Sequence, residues 1–192
     1  MRTIEWDLLE AFQMNDLGGV RYALDKGANP GIVSENLPIL LRAIFLGKEE
    51  IAIELVRAGA SIETVDMVHG RAALAWAAYY ERNIIMDFLI QEGAKLERKD
   101  AIGHTALMHA TQKGAEETVK QLLNAGADVR PARDSEQAKQ PFSLLPGGAV
   151  GRRLKEQLYH AYHDQMVERS GHLKKKITGF QKKIPHKRRP KM

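Results

Sequence analysis

The sequence predicts an all-α solenoid: stacked helix-turn-helix units, a C-terminal helical cap and a basic tail. Three observations predict it. A Gly-Ala pair recurs every 32 to 34 residues. Apolar doublets at helical spacing precede each pair. Positive charge is concentrated at the end of the chain. Self-similarity at such a period is the signature of units that bury their apolar faces only on one another.

The pairs are Gly27-Ala28, Gly59-Ala60, Gly93-Ala94 and Gly126-Ala127. Before them stand Ala23-Leu24, Leu55-Val56, Leu89-Ile90 and Leu122-Leu123, and four residues earlier Gly19-Val20, Ile51-Ala52, Ile85-Met86 and Thr118-Val119. That spacing puts an amphipathic helix ahead of each glycine, which then ends it in a left-handed conformation that a Cβ would penalise. A shorter helix precedes each of these. In the fourth unit it starts at Ala106, with Thr105 placed to cap it and Gly103 and Gly114 at its two ends. In the third it reads Ala72-Ala73-Leu74-Ala75-Trp76-Ala77-Ala78. The small side chains of Ala77, Ala78 and Ala110 allow close approach between stacked units.

Asp100-Ala101-Ile102-Gly103-His104-Thr105-Ala106-Leu107 stands where a known repeat has D-x-x-G-x-T-P-L, and Leu122 to Val129 reads L-L-x-x-G-A-D-V. On these motifs the chain resembles the ankyrin family over about residues 4–130. Departures accompany the likeness. The family's proline is Ala106 and Ala73 in the last two units. Its histidine is Met108, Ala75, Leu41 and Leu9, so the inter-repeat hydrogen bonds of that histidine are not expected. The first unit is degenerate, with Gly18-Gly19 inside its second helix, as befits a capping repeat.

The predicted organisation is a repeat domain over 1–130, a linker and capping helix over 131–170, and a basic, flexible tail over 171–192. Pro131, Pro141, Pro146, Gly147 and Gly148 break any long element, while Phe142, Leu144 and Leu145 are apolar enough to dock on the end of the stack. A helix follows over about 150–170. Val150, Leu154, Leu158, Ala161, Tyr162 and Met166 share one of its faces. That face covers the last repeat, or else is free for a partner or a membrane.

Charge divides along the chain. Residues 1–130 hold 14 Lys and Arg against 19 Asp and Glu, and residues 171–192 hold 9 Lys and Arg and no acid. No run of apolar residues is long enough for a transmembrane helix, and the first residues lack the apolar core of a secretory signal. The expected location is intracellular and cytoplasmic, with a nuclear address or export to another cell left open. There is no cysteine, which excludes disulfides, thiol catalysis and cysteine zinc sites.

No catalytic signal emerges, and the chain is expected to be neither an enzyme nor a cofactor protein. No phosphate-cradling glycine motif occurs, and Gly147-Gly148-Ala149-Val150-Gly151 reads as a loop. Glu156, His160, His163 and Asp164 have spacings that a metal site uses, yet lie opposite the apolar stripe of their helix and read as a solvated face. In the ankyrin family His104 would stand at a turn tip and His109 on an inner helix, both positions that commonly make contacts.

Two surfaces are candidates for binding. Aligning the units places Glu10, Arg42, Trp76 and His109 at one variable inner-helix position. One turn on come Gln13-Met14, Phe45-Leu46, Tyr79-Tyr80 and Gln112-Lys113. The resemblance implies that these positions line a concave groove, so the expected contact residues for a protein partner are Arg42, Phe45, Trp76, Tyr79, Tyr80, His109 and Lys113. Arg, Trp and Tyr are enriched at interface hot spots. The other reading is that some of these rings pack between repeats. The second surface is Lys174, Lys175, Lys176, Lys182, Lys183, Lys187, Arg188, Arg189 and Lys191, a polyanion-binding run suited to nucleic acid, anionic lipid or an acidic protein. The bland reading there is a solubilising tail. The chain is expected to be a monomer on its own.

Overall fold

The computed structural model describes residues 3–129 and 145–181, with side chains in the last helix as far as Arg169. Four helix pairs stack in register: α1 (Ile4–Met14) with α2 (Leu17–Asp25), α3 (Ile39–Leu46) with α4 (Glu49–Arg57), α5 (Ala73–Tyr79) with α6 (Asn83–Gln91), and α7 (Ala106–Lys113) with α8 (Glu116–Asn124). The inner helices α3, α5 and α7 pack on one another, and the outer helices α2, α4 and α6 do the same. Ala73, Ala77, Ala78 and Ala110 are fully or almost fully buried at the inner contacts. A methyl group there lets the helix backbones approach.

Each outer helix ends in the same way. Ala28, Ala60, Ala94 and Ala127 donate their backbone N–H to the carbonyls of Ala23, Leu55, Leu89 and Leu122, at 3.0, 2.9, 2.9 and 3.0 Å. This is the six-to-one bond of a Schellman cap, which needs a left-handed residue just before it. The preceding glycines supply it, with φ of +85° at Gly93 and +93° at Gly126. The expected caps are therefore present, and Leu89 and Leu122 are buried without exposed surface. Thr105 caps α7 as expected, its hydroxyl accepting from the Met108 N–H.

Loops between the pairs project as fingers. The first is a true hairpin, β1 (Val33–Ser34) with β2 (Leu37–Pro38), turning through Glu35 and Asn36, both at positive φ. Two left-handed central residues make a type I′ turn, whose twist suits a two-residue hairpin. The second finger closes with a single bridge between Val65 and Ala72.

The last helix, α9 (Gly148–Gln181), is 34 residues long against 9 for α8. It starts two residues before the expected Val150 and passes the expected end at Ser170. Lys174, Lys175 and Lys176 thus fall on the backbone of this helix. No helix-stopping glycine occurs between Gly151 and Gly171, which is why the element does not end where α8 does. Leu154 and Leu158 are buried, Tyr162 is half-buried, and Met166 at the end of the stripe is exposed. The capping reading of this face is the one the structure shows, since α9 packs on α8. Gln165 takes up the free backbone of the last finger, donating to the Ala127 carbonyl at 2.8 Å and accepting from the Val129 N–H at 3.3 Å. In the units before, Glu63 and Glu97 accept from the N–H groups of Lys95 and Asp128. The remaining cations of the tail, from Lys182 on, and the linker residues 130–144 lie outside the described residues. Among the described residues no helix is long and apolar enough to cross a membrane.

Candidate functional site

The inner helices present a run of touching rings. Phe45 on α3 meets Trp76 on α5 edge-on at 6.1 Å between centroids, and Tyr80 at 5.2 Å. Trp76 and Tyr80 stack at 5.4 Å, and Tyr80 meets Tyr79 edge-on at 5.0 Å. The Lys113 ammonium from α7 sits 4.2 Å from the Tyr79 ring centroid, and the Arg71 guanidinium from the second finger lies 5.1 Å from it. Quadrupolar rings favour such edge contacts and attract cations to their faces. Phe45, Trp76, Tyr79, Tyr80 and Lys113 thus come together as expected, across three consecutive units.

Arg42, Trp76 and His109 share one repeat position, and each bonds back to the finger that precedes its own helix. Arg42 donates to the Ser34 hydroxyl at 2.7 Å and to Glu35 at 2.6 Å. The Trp76 indole N–H donates to Asp66 Oδ2 at 3.0 Å. His109 Nε2 lies 2.8 Å from Asp100 Oδ2. The two carboxylates also organise their own loops. Asp66 accepts from the N–H groups of Val68, His69 and Arg71, and Asp100 from those of Ile102 and His104. Burial alone would push both carboxyls up. The gathered donors outweigh it and hold both below the usual carboxylate range: for Asp66 His69, Trp76, Arg71 and Val68, for Asp100 His104, His109 and Ile102.

His109 is therefore not a partner contact, which corrects the expectation from its repeat position. Its side chain has no exposed surface, and His104 is also buried. Burial first, and then the neighbouring Arg71 and His104, lower the affinity of the His109 ring for a second proton against the raising effect of Asp100. The ring is neutral at neutral pH and donates its Nε2 hydrogen to the carboxylate. Arg71 Nε approaches the same Asp100 oxygen at 3.5 Å, too far for a good hydrogen bond. Tyr79 packs edge-on against His109 at 5.8 Å, so the buried pair forms the floor beneath the rings. Trp76 is half-buried and has two roles, finger anchor and groove wall. Arg42 lies over Phe12 at 5.7 Å and faces the first unit rather than the rings. The fingertips, absent from the expected site, carry Val33, Met67, Val68 and Ile102 as exposed apolar side chains. The 34-residue spacing from Val33 to Met67 and from Val68 to Ile102 was the signal available in the sequence.

A separate cleft of about 610 Å³ opens between α8 and α9, lined by Lys120, Gln157, His160 and Asp164 among others. His163 Nδ1 stands 3.9 Å from Asp164, with both side chains mostly exposed. Among the described residues, no three or more His, Asp or Glu side chains gather in a way that could hold a metal ion.

Residues 40–133 match a family model described as ankyrin repeats in three copies. This stretch belongs to the ankyrin-repeat family. The chain is similar to the ankyrin repeat domain-containing protein SAT10 of Stachybotrys chartarum, at 37% identity over 83 residues, covering 43% of this chain and 4% of that protein. It is 35% identical over 95 residues to the ankyrin repeat and SAM domain-containing protein 6 of Rattus norvegicus, covering 48% of this chain and 10% of the relative. It is 30% identical over 103 residues to the palmitoyltransferase AKR1 of Saccharomyces cerevisiae, covering 52% and 13% respectively. The chain thus spans a small part of the length of these relatives. Ankyrin repeats are generally protein-interaction modules and are typically non-catalytic.

Proposed function

We propose that this ankyrin stack binds a protein partner through its concave face, with Phe45, Trp76, Tyr79, Tyr80 and Lys113 as the contact surface. The observation that carries the reading is the run of touching rings across α3 and α5. Phe45 is 46% exposed, and both tyrosines are half-buried. Rings already held by one another lose little freedom on binding, and aromatic anchors dominate interface energetics. The reading involves no chemistry and no cofactor, and places the protein inside the cell. The test is affinity for a captured partner, measured by calorimetry. Phe45→Ala and Tyr80→Ala should each weaken binding by about 2 kcal/mol, as hot-spot truncations do. Unchanged affinity in both variants would remove the concave face from the interface.

A second reading rests on the nine Lys and Arg of residues 171–192, unaccompanied by any acid. Such a run supports association with nucleic acid or another polyanion. Its mark is a steep loss of affinity with added salt. An aromatic contact lacks that dependence.

A further inference from the structure

In the second to fourth units charge is sorted by layer, whereas α1, the inner helix of the first unit, carries Glu5, Asp7 and Glu10 and no cation. The inner helices α3, α5 and α7 read ILLRAIFL, ALAWAAY and ALMHATQK, which together contain Arg42 and Lys113 and not one Asp or Glu. The outer helices α4, α6 and α8 read EEIAIELVR, NIIMDFLIQ and EETVKQLLN, with six acids against Arg57 and Lys120. The stretch up to residue 130 is acidic as a whole, so the cationic inner wall of the second to fourth units runs against the average. Near that wall, Glu35 is already bonded to Arg42, and Glu81 sits in the turn at the far end from the fingers. Asp66 and Asp100 are buried and committed to loop N–H groups and to Trp76 and His109. Lys113 is exposed and pairs with no carboxylate among the described residues.

We infer that the occupant of the groove is an acidic, extended segment of a partner protein. This rests on the concave-face reading above. One large apolar side chain of the segment lies on Phe45, Trp76 and Tyr80, and a carboxylate meets Lys113 beside the Tyr79 ring. The steps from Lys113 to Tyr79, Tyr80 and Phe45 are 4.2, 5.0 and 5.2 Å. They limit the distance between carboxylate and anchor to about 14 Å, or roughly four residues of extended chain. The acidic outer layer repels the same segment, which directs it to the concave side. The chain's own basic tail is excluded by the same charge, since it would bring cations onto Lys113 and Arg71.

The experiment is selection of random dodecapeptides on the full chain at about 0.15 M salt, where the Debye length is about 8 Å. Parallel selections use Phe45→Ala and Lys113→Glu. Peptides held by the basic tail bind all three proteins equally and are subtracted. The expected result is enrichment of peptides with Asp or Glu within four residues of a Trp, Phe or Leu. A fluorescein-labelled peptide of that type should bind Lys113→Glu roughly tenfold more weakly or worse, bind Lys113→Arg nearly normally, and weaken when its acids become amides. Lys113 is an exposed side chain, so its variants keep the fold. Peptides lost with Phe45→Ala but lacking acids, or indifferent to Lys113→Glu, overturn the acidic occupant and leave the groove standing. If no peptide remains after that subtraction, the groove itself is overturned.

Discussion

Replacing Asp100 by alanine tests how the third finger is held. The carboxylate accepts from Ile102 N at 3.0 Å, His104 N at 2.9 Å and His109 Nε2 at 2.8 Å. Ile102 is exposed and its N–H can turn to water. The other two donors belong to buried residues, and alanine leaves both without an acceptor. An orphaned buried donor costs about 1–3 kcal/mol. Two of them, with Arg71 losing its nearby counter-charge, give an expected loss of about 3–5 kcal/mol. That is a large part of a total that is commonly about 5–15 kcal/mol. Asp100→Asn keeps an acceptor for the loop N–H groups and should cost clearly less. The assay is urea unfolding followed by both circular dichroism and tryptophan fluorescence. Trp6 reports on the first unit and Trp76 on the third, so non-coincident transitions would reveal loss of cooperativity along the array. A loss under about 1 kcal/mol for Asp100→Ala would refute the reasoning.

Two further outcomes are expected. His109 in the folded state holds its second proton less readily than a free histidine. The unfolded chain therefore takes up that proton first, and stability should be fully present above about pH 6.5 and fall as the pH drops below it. The carboxyls of Asp66 and Asp100 are shifted down, so their contribution is present above the ordinary aspartate value and is lost as pH falls through their folded values. Urea midpoints measured from pH 8 to pH 3 should show both stages, and His109→Gln should remove the first. At the start of α9, a Cβ on Gly151 would run into the backbone carbonyl of Pro146. Gly151→Ala should dislodge the helix start and lower the melting temperature, and an unchanged melting temperature would mean that α9 docks differently.

The stack was legible because its signals are local. A glycine that must be left-handed and doublets four residues apart lie within one helix and its cap. The buried face of α9 was legible for the same reason. What stayed hidden depends on chain that folds back. The burial of His109 is decided by Asp100, nine residues earlier, whose carboxylate turns toward it only once the finger exists. A polar residue at a variable inner-helix position reads as exposed until that partner is known. The first hairpin was hidden because each strand has two residues, too few for an alternating pattern. Its turn, Glu35-Asn36, lacks the glycine that usually marks a type I′ turn. The length of α9 had a signal, the missing glycine after Leu158, whereas its exposed stretch from Met166 on shows that helix formation continues beyond the repeat it covers.

The position shared by Arg42, Trp76 and His109 explains how one surface can serve both stability and recognition. In each unit that residue reaches back to its own finger, and in the last two it does so through a buried carboxylate. Side chains at this position are held by internal bonds, so changes there act first on the fold. One helical turn further along stand Phe45, Tyr79, Tyr80 and Lys113, at i+3 and i+4 on the same helix face. Their side chains touch one another, Trp76, His109 and the Arg71 guanidinium through ring contacts, and no finger carboxylate is bonded to them. Substitutions in that second row can change which segment is bound without loosening the fingers. The groove's specificity therefore resides a turn away from the residues that give it shape. Trp76 belongs to both sets, since its ring stacks on Tyr80 while its N–H holds Asp66. Truncating it combines a loss of fold with a loss of contact, whereas Phe45 and Lys113 separate the two.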